Sequence, residues 1–93
     1  MVDVGRRRWT PSVVRVDQVD HGSYVPVYQQ LVAIMKKRIE SGEFPPGRLI
    51  PSEKTLQQEY GVGRDTVRRV VEILREEGLI FTVPHRGSYV AER

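Results

Sequence analysis

The sequence predicts a mainly α fold with a small β-hairpin, in which three helices precede two short strands. Three observations support this order. An amphipathic helical pattern follows Pro26, two further helical segments are separated by a glycine-containing turn at residues 61–63, and a turn-rich cluster at residues 84–87 separates two short strand-like segments. A chain of 93 residues is long enough for one small domain with a modest core.

The first predicted helix begins after Pro26. Its apolar residues recur at the spacing of one helix face: Tyr28, Leu31, Ile34, Met35 and Ile39. We expect the helix to end near Ser41 and Gly42, because two prolines follow at positions 45 and 46 and proline has no amide hydrogen to continue a helix.

The second and third predicted helices lie on either side of a very short turn. Ser52 caps the start of the second helix, and Gly61 ends it. The third helix runs from about Arg64 to Glu77 and stops at Gly78. Two helices joined by a turn of about three residues with glycine in it form the helix-turn-helix arrangement.

The last predicted element is a β-hairpin. Residues 79–83 are rich in β-branched and aromatic side chains, and residues 88–90 return as the partner strand. Since a lone hairpin is marginally stable, we expect it to pack on the helices, which is the winged helix-turn-helix plan. The predicted core consists of Leu31, Ile34, Met35, Leu56, Val67, Val70, Val71, Leu74, Leu79 and Phe81.

Two regions differ in pattern. We expect residues 1–23 to form a flexible basic N-terminal arm and residues 24–93 to form the winged helix-turn-helix domain. The arm contains three consecutive arginines, Arg6 to Arg8, and no helical periodicity. Two interpretations of these arginines are open: they follow a minor groove of DNA, or they are a basic tail.

Composition excludes several classes of protein. The absence of cysteine excludes disulfides, cysteine-bound zinc and thiol catalysis, and the two histidines, His21 and His85, lie far apart in the sequence. No nucleophile elbow or clustered carboxylates are present, so we expect no enzyme activity, no metal and no cofactor. Apolar stretches are far shorter than the roughly 18 residues of a membrane span, and no secretory signal is recognisable. We therefore expect a cytoplasmic location and no membrane partner.

The third predicted helix has a charge distribution suited to DNA. Its arginines Arg64, Arg68 and Arg69 lie early, and its glutamates lie late. An arginine in a major groove can donate two hydrogen bonds to guanine O6 and N7, and Arg64 or Arg68 is the candidate for this role. The alternative is a solvated helix face with pairs such as Arg68 to Glu72. The net charge of +3 is too small to decide between them.

Further candidate contacts flank these arginines, and each has a structural alternative. Asp65 can accept from cytosine N4, or it can simply favour the positive start of a helix. Hydroxyl groups at helix starts bind phosphate or act as caps, and lysines in a first turn reach phosphate or remain solvated. A glycine at a wing tip permits close approach to DNA, although turn geometry explains it equally well. These candidates are Ser52, Lys54, Asp65, Thr66, His85, Arg86 and Gly87.

Several segments in this order resemble the DNA-binding domain of GntR-type bacterial transcription regulators. They are Pro51-Ser52-Glu53-Lys54, residues 60–68, Glu77-Gly78-Leu79-Ile80 and Arg86-Gly87-Ser88-Tyr89-Val90. The resemblance covers about residues 24–90. It implies a repressor that binds operator DNA as a homodimer on a near-palindrome, with a small-molecule effector held in a separate C-terminal domain that this chain lacks.

The resemblance also implies which residues contact DNA: Lys54, Arg64, Thr66, Arg68 and Gly87. The sequence departs from the family pattern at four positions. Gly63 stands where Ser or Thr is usual, Asp65 where Thr or Pro is frequent, Arg69 where Glu or Gln is frequent, and His85 where Gly is frequent. We expect these differences to change the operator that is read and not the fold. The competing hypothesis is a winged-helix protein-interaction module without sequence-specific DNA binding.

Overall fold

The computed structural model describes residues 18–92. Within this range three α-helices precede an antiparallel pair of strands: α1 (Val27–Glu40), α2 (Glu53–Tyr60), α3 (Arg64–Glu76), β1 (Ile80–Val83) and β2 (Gly87–Val90). This order confirms the predicted winged helix-turn-helix plan. In the same range, none of the helices has the length and apolar character needed to cross a membrane.

Helix α1 forms one wall of the core because its apolar residues share one face. Leu31, Ile34 and Met35 are completely buried. The helix follows Pro26 and ends at Glu40, close to the predicted position. The chain then turns at Gly42, whose φ of +87° lies in the left-handed region that favours glycine.

The turn between α2 and α3 is as short as predicted. Gly61 ends α2 in a left-handed conformation, and its amide donates to the carbonyl of Gln57. Gly63 is the N-cap of α3, and the buried side chains of α3 pack against both α1 and α2. Gly78, with φ of +77°, follows the end of α3 and redirects the chain into β1.

The two strands form the wing, and a third segment extends their sheet. Thr82 lies opposite Ser88 in the antiparallel pair. Residues 47–50 lie along the other side of β2: the amide of Ile50 donates to the carbonyl of Ser88 at 2.9 Å, and the amide of Val90 donates to the carbonyl of Arg48 at 2.9 Å. The sequence did not predict this segment, which fixes the loop between α1 and α2 to the wing.

The predicted core is confirmed except at Phe81, whose assignment to the core was wrong. Phe81 is 45% exposed, whereas its neighbour Ile80 is 2% exposed. Successive side chains of a strand point to opposite faces, so only one of the two can reach the core. Ile80 lies opposite the buried Val90, and Phe81 stacks on Tyr89 on the outer face with ring centroids 5.7 Å apart.

Arg38 connects the end of α1 to the following loop and to α2. Its guanidinium donates to the carboxylate of Glu43 at 2.6 Å, to the hydroxyl of Tyr60 at 2.7 Å and to the carboxylate of Glu59 at 3.2 Å. It also lies over the ring of Phe44, 4.6 Å from the centroid. These contacts hold α2 in place beside α1, and therefore also the turn that leads into α3.

The last residues of the predicted arm contact the helical domain. Val19 is partly buried and packs against the core, and the backbone of Asp20 is hydrogen-bonded to the side chain of Gln30. The boundary at residue 24 stays a prediction, and these contacts favour an earlier one. Arg6 to Arg8 lie outside the described residues.

Candidate nucleic-acid interface

The start of α3 presents amide groups without a side-chain cap. Its N-cap is Gly63, which has no side-chain oxygen to accept from them, and the first amides of any helix lack partners within the helix. Arg64 and Asp65 are exposed beside these amides, and Thr66 is half-buried. The Asp65 carboxylate lies in the first turn, where it interacts favourably with the positive end of the helix. This end of α3 therefore offers backbone donors and polar side chains on one surface.

Arg64 and Arg68 are exposed one turn apart on α3. The ion pairs found among residues 18–92 include neither of them, so the alternative Arg68 to Glu72 pair is not formed there. In contrast, Glu77 just beyond the helix forms an ion pair with Lys36 of α1 at 2.6 Å. The early arginines thus remain available in the part of the chain that the structure describes, while Glu77 is neutralised on the α1 side.

Arg69 is placed differently from Arg68. Its guanidinium lies over the ring of Tyr28, 4.5 Å from the centroid, which joins α3 to the first turn of α1. The pKa of Tyr28 is lowered first by the hydrogen bond that Gln29 donates to its hydroxyl and then by the nearby Arg69 cation. Sequence reasoning did not find this contact because Tyr28 and Arg69 are far apart in the chain.

Ser52 and Lys54 lie at the start of α2. The Ser52 hydroxyl accepts a hydrogen bond from the amide of Thr55 at 3.1 Å and donates one to the Thr55 hydroxyl at 2.9 Å. The predicted role of Ser52 as a helix cap is therefore confirmed. Lys54 is exposed in the first turn of the same helix.

The wing tip contains His85, Arg86 and Gly87, all exposed. The amide of Arg86 donates to the carbonyl of Val83 at 3.0 Å, which closes a four-residue turn with Pro84 second and His85 third. The φ of His85 is +66°, as a type II turn requires at its third residue. At Gly87, with φ of +122°, a Cβ atom would lie 3.0 Å from Cδ2 of Leu49. Backbone geometry alone therefore accounts for this glycine.

A groove of about 360 Å³ separates the start of α2 from α3 and the wing. It brings together three predicted contact residues, Ser52, Arg86 and Gly87, and it does not include Lys54 or the start of α3. Its lining also contains Leu49, Ile50, Pro51, Glu53, Val71, Arg75, Thr82 and Ser88. Arg75 was not among the predicted contact residues, although its spacing places it in the same stripe of α3 as Arg64 and Arg68.

Comparison with curated proteins finds relatives among bacterial repressors. The chain is 32% identical over 74 residues to the HTH-type transcriptional repressor NagR of Bacillus subtilis (strain 168), covering 80% of this chain and 30% of NagR. It is 37% identical over 67 residues to the mannosyl-D-glycerate transport/metabolism system repressor MngR of Escherichia coli (strain K12), covering 72% of this chain and 28% of MngR. The chain thus spans less than a third of either relative.

Solved structures of similar fold include DNA complexes. The DNA-binding domain of AraR in complex with operator ORX1 matches with a TM-score of 0.76 and 31% identity, covering 80% of this chain and 94% of that one. YtrA from Sulfolobus acidocaldarius, a GntR-family transcription factor, matches with a TM-score of 0.75 and 30% identity, covering 85% of this chain and 83% of that one.

The family model of the bacterial regulatory proteins of the gntR family matches residues 27–90. This range contains all of α1, α2, α3 and both strands. The match confirms the resemblance seen in the sequence. The chain belongs to the GntR family of bacterial regulatory proteins.

Proposed function

We infer that this domain binds double-stranded DNA in a sequence-specific manner, as the operator-binding part of a bacterial transcriptional repressor. The observation that carries this inference is the start of α3, where uncapped amides and the exposed Arg64 and Arg68 share one surface within a helix-turn-helix. NagR and MngR are repressors, and the AraR domain was crystallised with operator DNA. Both facts support the same function here.

The proposed binding mode places α3 in the major groove by its N-terminal end. Arg64 and Arg68 then face base edges, where either can form two hydrogen bonds with a guanine. Asp65 accepts from a cytosine amino group and penalises other bases, because an unpaired carboxylate near phosphate is repelled. Thr66 and the free amides of the first turn bind the DNA backbone.

Most of the remaining predicted contacts lie outside α3, which is the recognition helix in this binding mode. Ser52 and Lys54 at the start of α2 lie where a phosphate can approach, and Lys54 has the charge to neutralise it. His85, Arg86 and Gly87 at the wing tip approach the backbone or minor groove. Arg69 remains a proposed DNA contact because its positive charge attracts phosphate, although its guanidinium already lies over the ring of Tyr28.

The longer relatives suggest how the domain is used. Since the chain spans about 30% of NagR, we propose that a C-terminal domain holds a small-molecule effector and joins two DNA-binding domains as a homodimer. Two linked domains bind a near-palindromic operator more tightly than one domain binds a half-site, because the second contact becomes intramolecular. The proposed location is the bacterial cytoplasm, on the nucleoid.

The experiment that tests this function is selection of bound duplexes from a randomised pool, followed by titration against a scrambled duplex at two salt concentrations. We expect a short motif to be enriched and bound well above the scrambled sequence. The logarithm of affinity should fall with the logarithm of salt by about 0.9 for each phosphate contacted. No enrichment, by the chain or by a covalently linked dimer of it, would favour the protein-interaction module instead.

A further inference from the structure

A chain of hydrogen bonds connects the last turn of α3 to both strands of the wing. Nη1 of Arg75 donates to Oγ1 of Thr82 at 3.1 Å. Oγ1 of Thr82 is in turn 3.1 Å from Oγ of Ser88, which lies directly opposite it on β2. One arginine of the recognition helix therefore holds a cross-strand pair of the hairpin.

The position of this pair within the wing determines what it can control. The base of the wing is held by the core, because Ile80 and Val90 are 2% and 1% exposed. Farther out, Thr82 is exposed and Ser88 is half-buried, and only one more strand pair separates them from the turn at residues 84–86. Among the described residues, the Arg75 contact is thus the side-chain hydrogen bond that links α3 to the outer half of the wing.

The same contact borders the groove that separates the start of α2 from α3 and the wing. Arg75, Thr82 and Ser88 line this groove together with Arg86 and Gly87 of the wing tip. A shift of the wing relative to α3 would change the width of the groove. It would also change the distance from Arg86 to the arginines at the start of α3.

We propose that Arg75 is a positioning residue for DNA recognition. By holding Thr82 and Ser88, it sets the distance between the start of α3 and the wing tip, so that both can contact one DNA duplex at the same time. This inference rests on the proposed DNA-binding function. A wing that is already held in place before binding loses less conformational entropy when DNA binds, and this improves affinity.

Position 82 offers a matched pair of variants. Thr82→Val replaces the hydroxyl with a methyl group of similar shape and keeps the β-branched character that suits a strand, whereas Thr82→Ser keeps the hydroxyl. On a duplex selected from the randomised pool, we expect Thr82→Val and Arg75→Ala to bind about three- to tenfold more weakly than the wild-type chain. We expect Thr82→Ser to bind as the wild type does, and all three variants to keep the wild-type melting temperature.

A double-mutant cycle with Arg86 separates positioning from a direct contact. If Arg75 acts through the wing tip, then Arg75→Ala has little further effect in a chain that already carries Arg86→Ala. In hydroxyl-radical footprinting, we expect Arg75→Ala to lose protection of the same nucleotides that lose protection in Arg86→Ala. We expect the nucleotides protected by α3 to stay protected in Arg75→Ala.

Three results would overturn the inference. An undiminished effect of Arg75→Ala in the Arg86→Ala background would mean that Arg75 contacts phosphate itself. Weaker binding that is matched by a lower melting temperature would mean that the contact only stabilises the fold. Wild-type binding by both Thr82→Val and Arg75→Ala would mean that the contact has no role. In each case the wild-type chain still prefers the selected duplex, whereas loss of that preference would contradict the proposed function itself.

Discussion

The backbone of Asp20 and the side chain of Gln30 form two hydrogen bonds with each other. The amide of Asp20 donates to Oε1 of Gln30 at 2.8 Å, and Nε2 of Gln30 donates to the carbonyl of Asp20 at 3.0 Å. Nε2 also donates to the carbonyl of Val25 at 2.8 Å. Gln30 is only 2% exposed, so these bonds satisfy a polar group that water reaches poorly. We therefore expect residues 19–25 to belong to the folded domain.

Two deletions test this contact. We expect a chain that begins at Tyr24 to be less stable, by about 1–3 kcal/mol, than one that begins at Val19, because it loses both hydrogen bonds between Asp20 and Gln30 and the packing of Val19 against the core. For a domain of this size, each kcal/mol lowers the melting temperature by roughly 4–8 °C. Calorimetry of the two chains measures the difference. Equal melting temperatures would place the boundary at residue 24, as the sequence predicted.

His85 is expected to strain the wing turn. Its φ of +66° is costly for a residue with a Cβ atom, and glycine is the residue type that adopts such a conformation at little cost. We predict that His85→Gly raises the free energy of unfolding by about 0.5 kcal/mol, whereas His85→Ala gives no gain. Urea unfolding of both variants measures this. A destabilised His85→Gly variant would show that the imidazole makes a contact that outweighs the strain.

Gly63 is a second position where we expect a substitution to raise the stability of the domain. Its φ of −81° is ordinary for any residue, and a Cβ atom added there would meet nothing within 4 Å. We predict that Gly63→Ser caps α3 and raises stability by a few tenths of a kcal/mol, about the difference between serine and glycine at an N-cap. Gly63→Ala is the control, because it adds a Cβ atom without an oxygen. A serine variant no more stable than the alanine variant would argue against capping.

Lys54 should contribute to affinity without contributing to sequence preference. We predict that Lys54→Ala weakens binding to the selected and scrambled duplexes alike and reduces the salt slope by about one unit. Lys37→Ala is the matched control, since Lys37 is exposed on α1 and the proposed binding mode gives it no DNA contact. Titrations at four salt concentrations measure the slopes. A loss confined to one base position would assign Lys54 to base recognition.

Local chemistry explains why the sequence predicted the helices well. Gly61 and Gly78 end α2 and α3 in left-handed conformations that glycine adopts at little cost, and Ser52 caps α2 through a residue three positions later. The wrong assignment of Phe81 to the core, in the place of Ile80, comes from long-range pairing and not from local chemistry. Both residues are apolar, and only pairing with β2 decides which face of β1 is buried.

The same difference between local features and contacts between separate elements applies to the candidate DNA interface. The arginine-rich start of α3 is a continuous sequence feature, and it was predicted. The Arg69 contact with Tyr28 and the Arg75 contact with Thr82 join separate elements, so helical periodicity could not reveal them. The strand-like segment at residues 47–50 likewise exists because of its bonds to β2 and not because of a strong strand pattern of its own.

Arg68 provides the most direct test of sequence reading by α3. The measurement is the affinity of the wild-type, Arg68→Ala and Arg68→Lys chains for the selected duplex and for each of its single base-pair variants. We predict that Arg68→Ala weakens the binding free energy for the selected duplex by about 1–3 kcal/mol. We also predict that this variant loses its base preference at one base pair or at two adjacent base pairs and keeps its preferences elsewhere. Arg68→Lys should keep the charge but not recover that preference, because lysine lacks the planar two-pronged donor. Unchanged base preferences in both variants would contradict the assignment of Arg68 to the major groove.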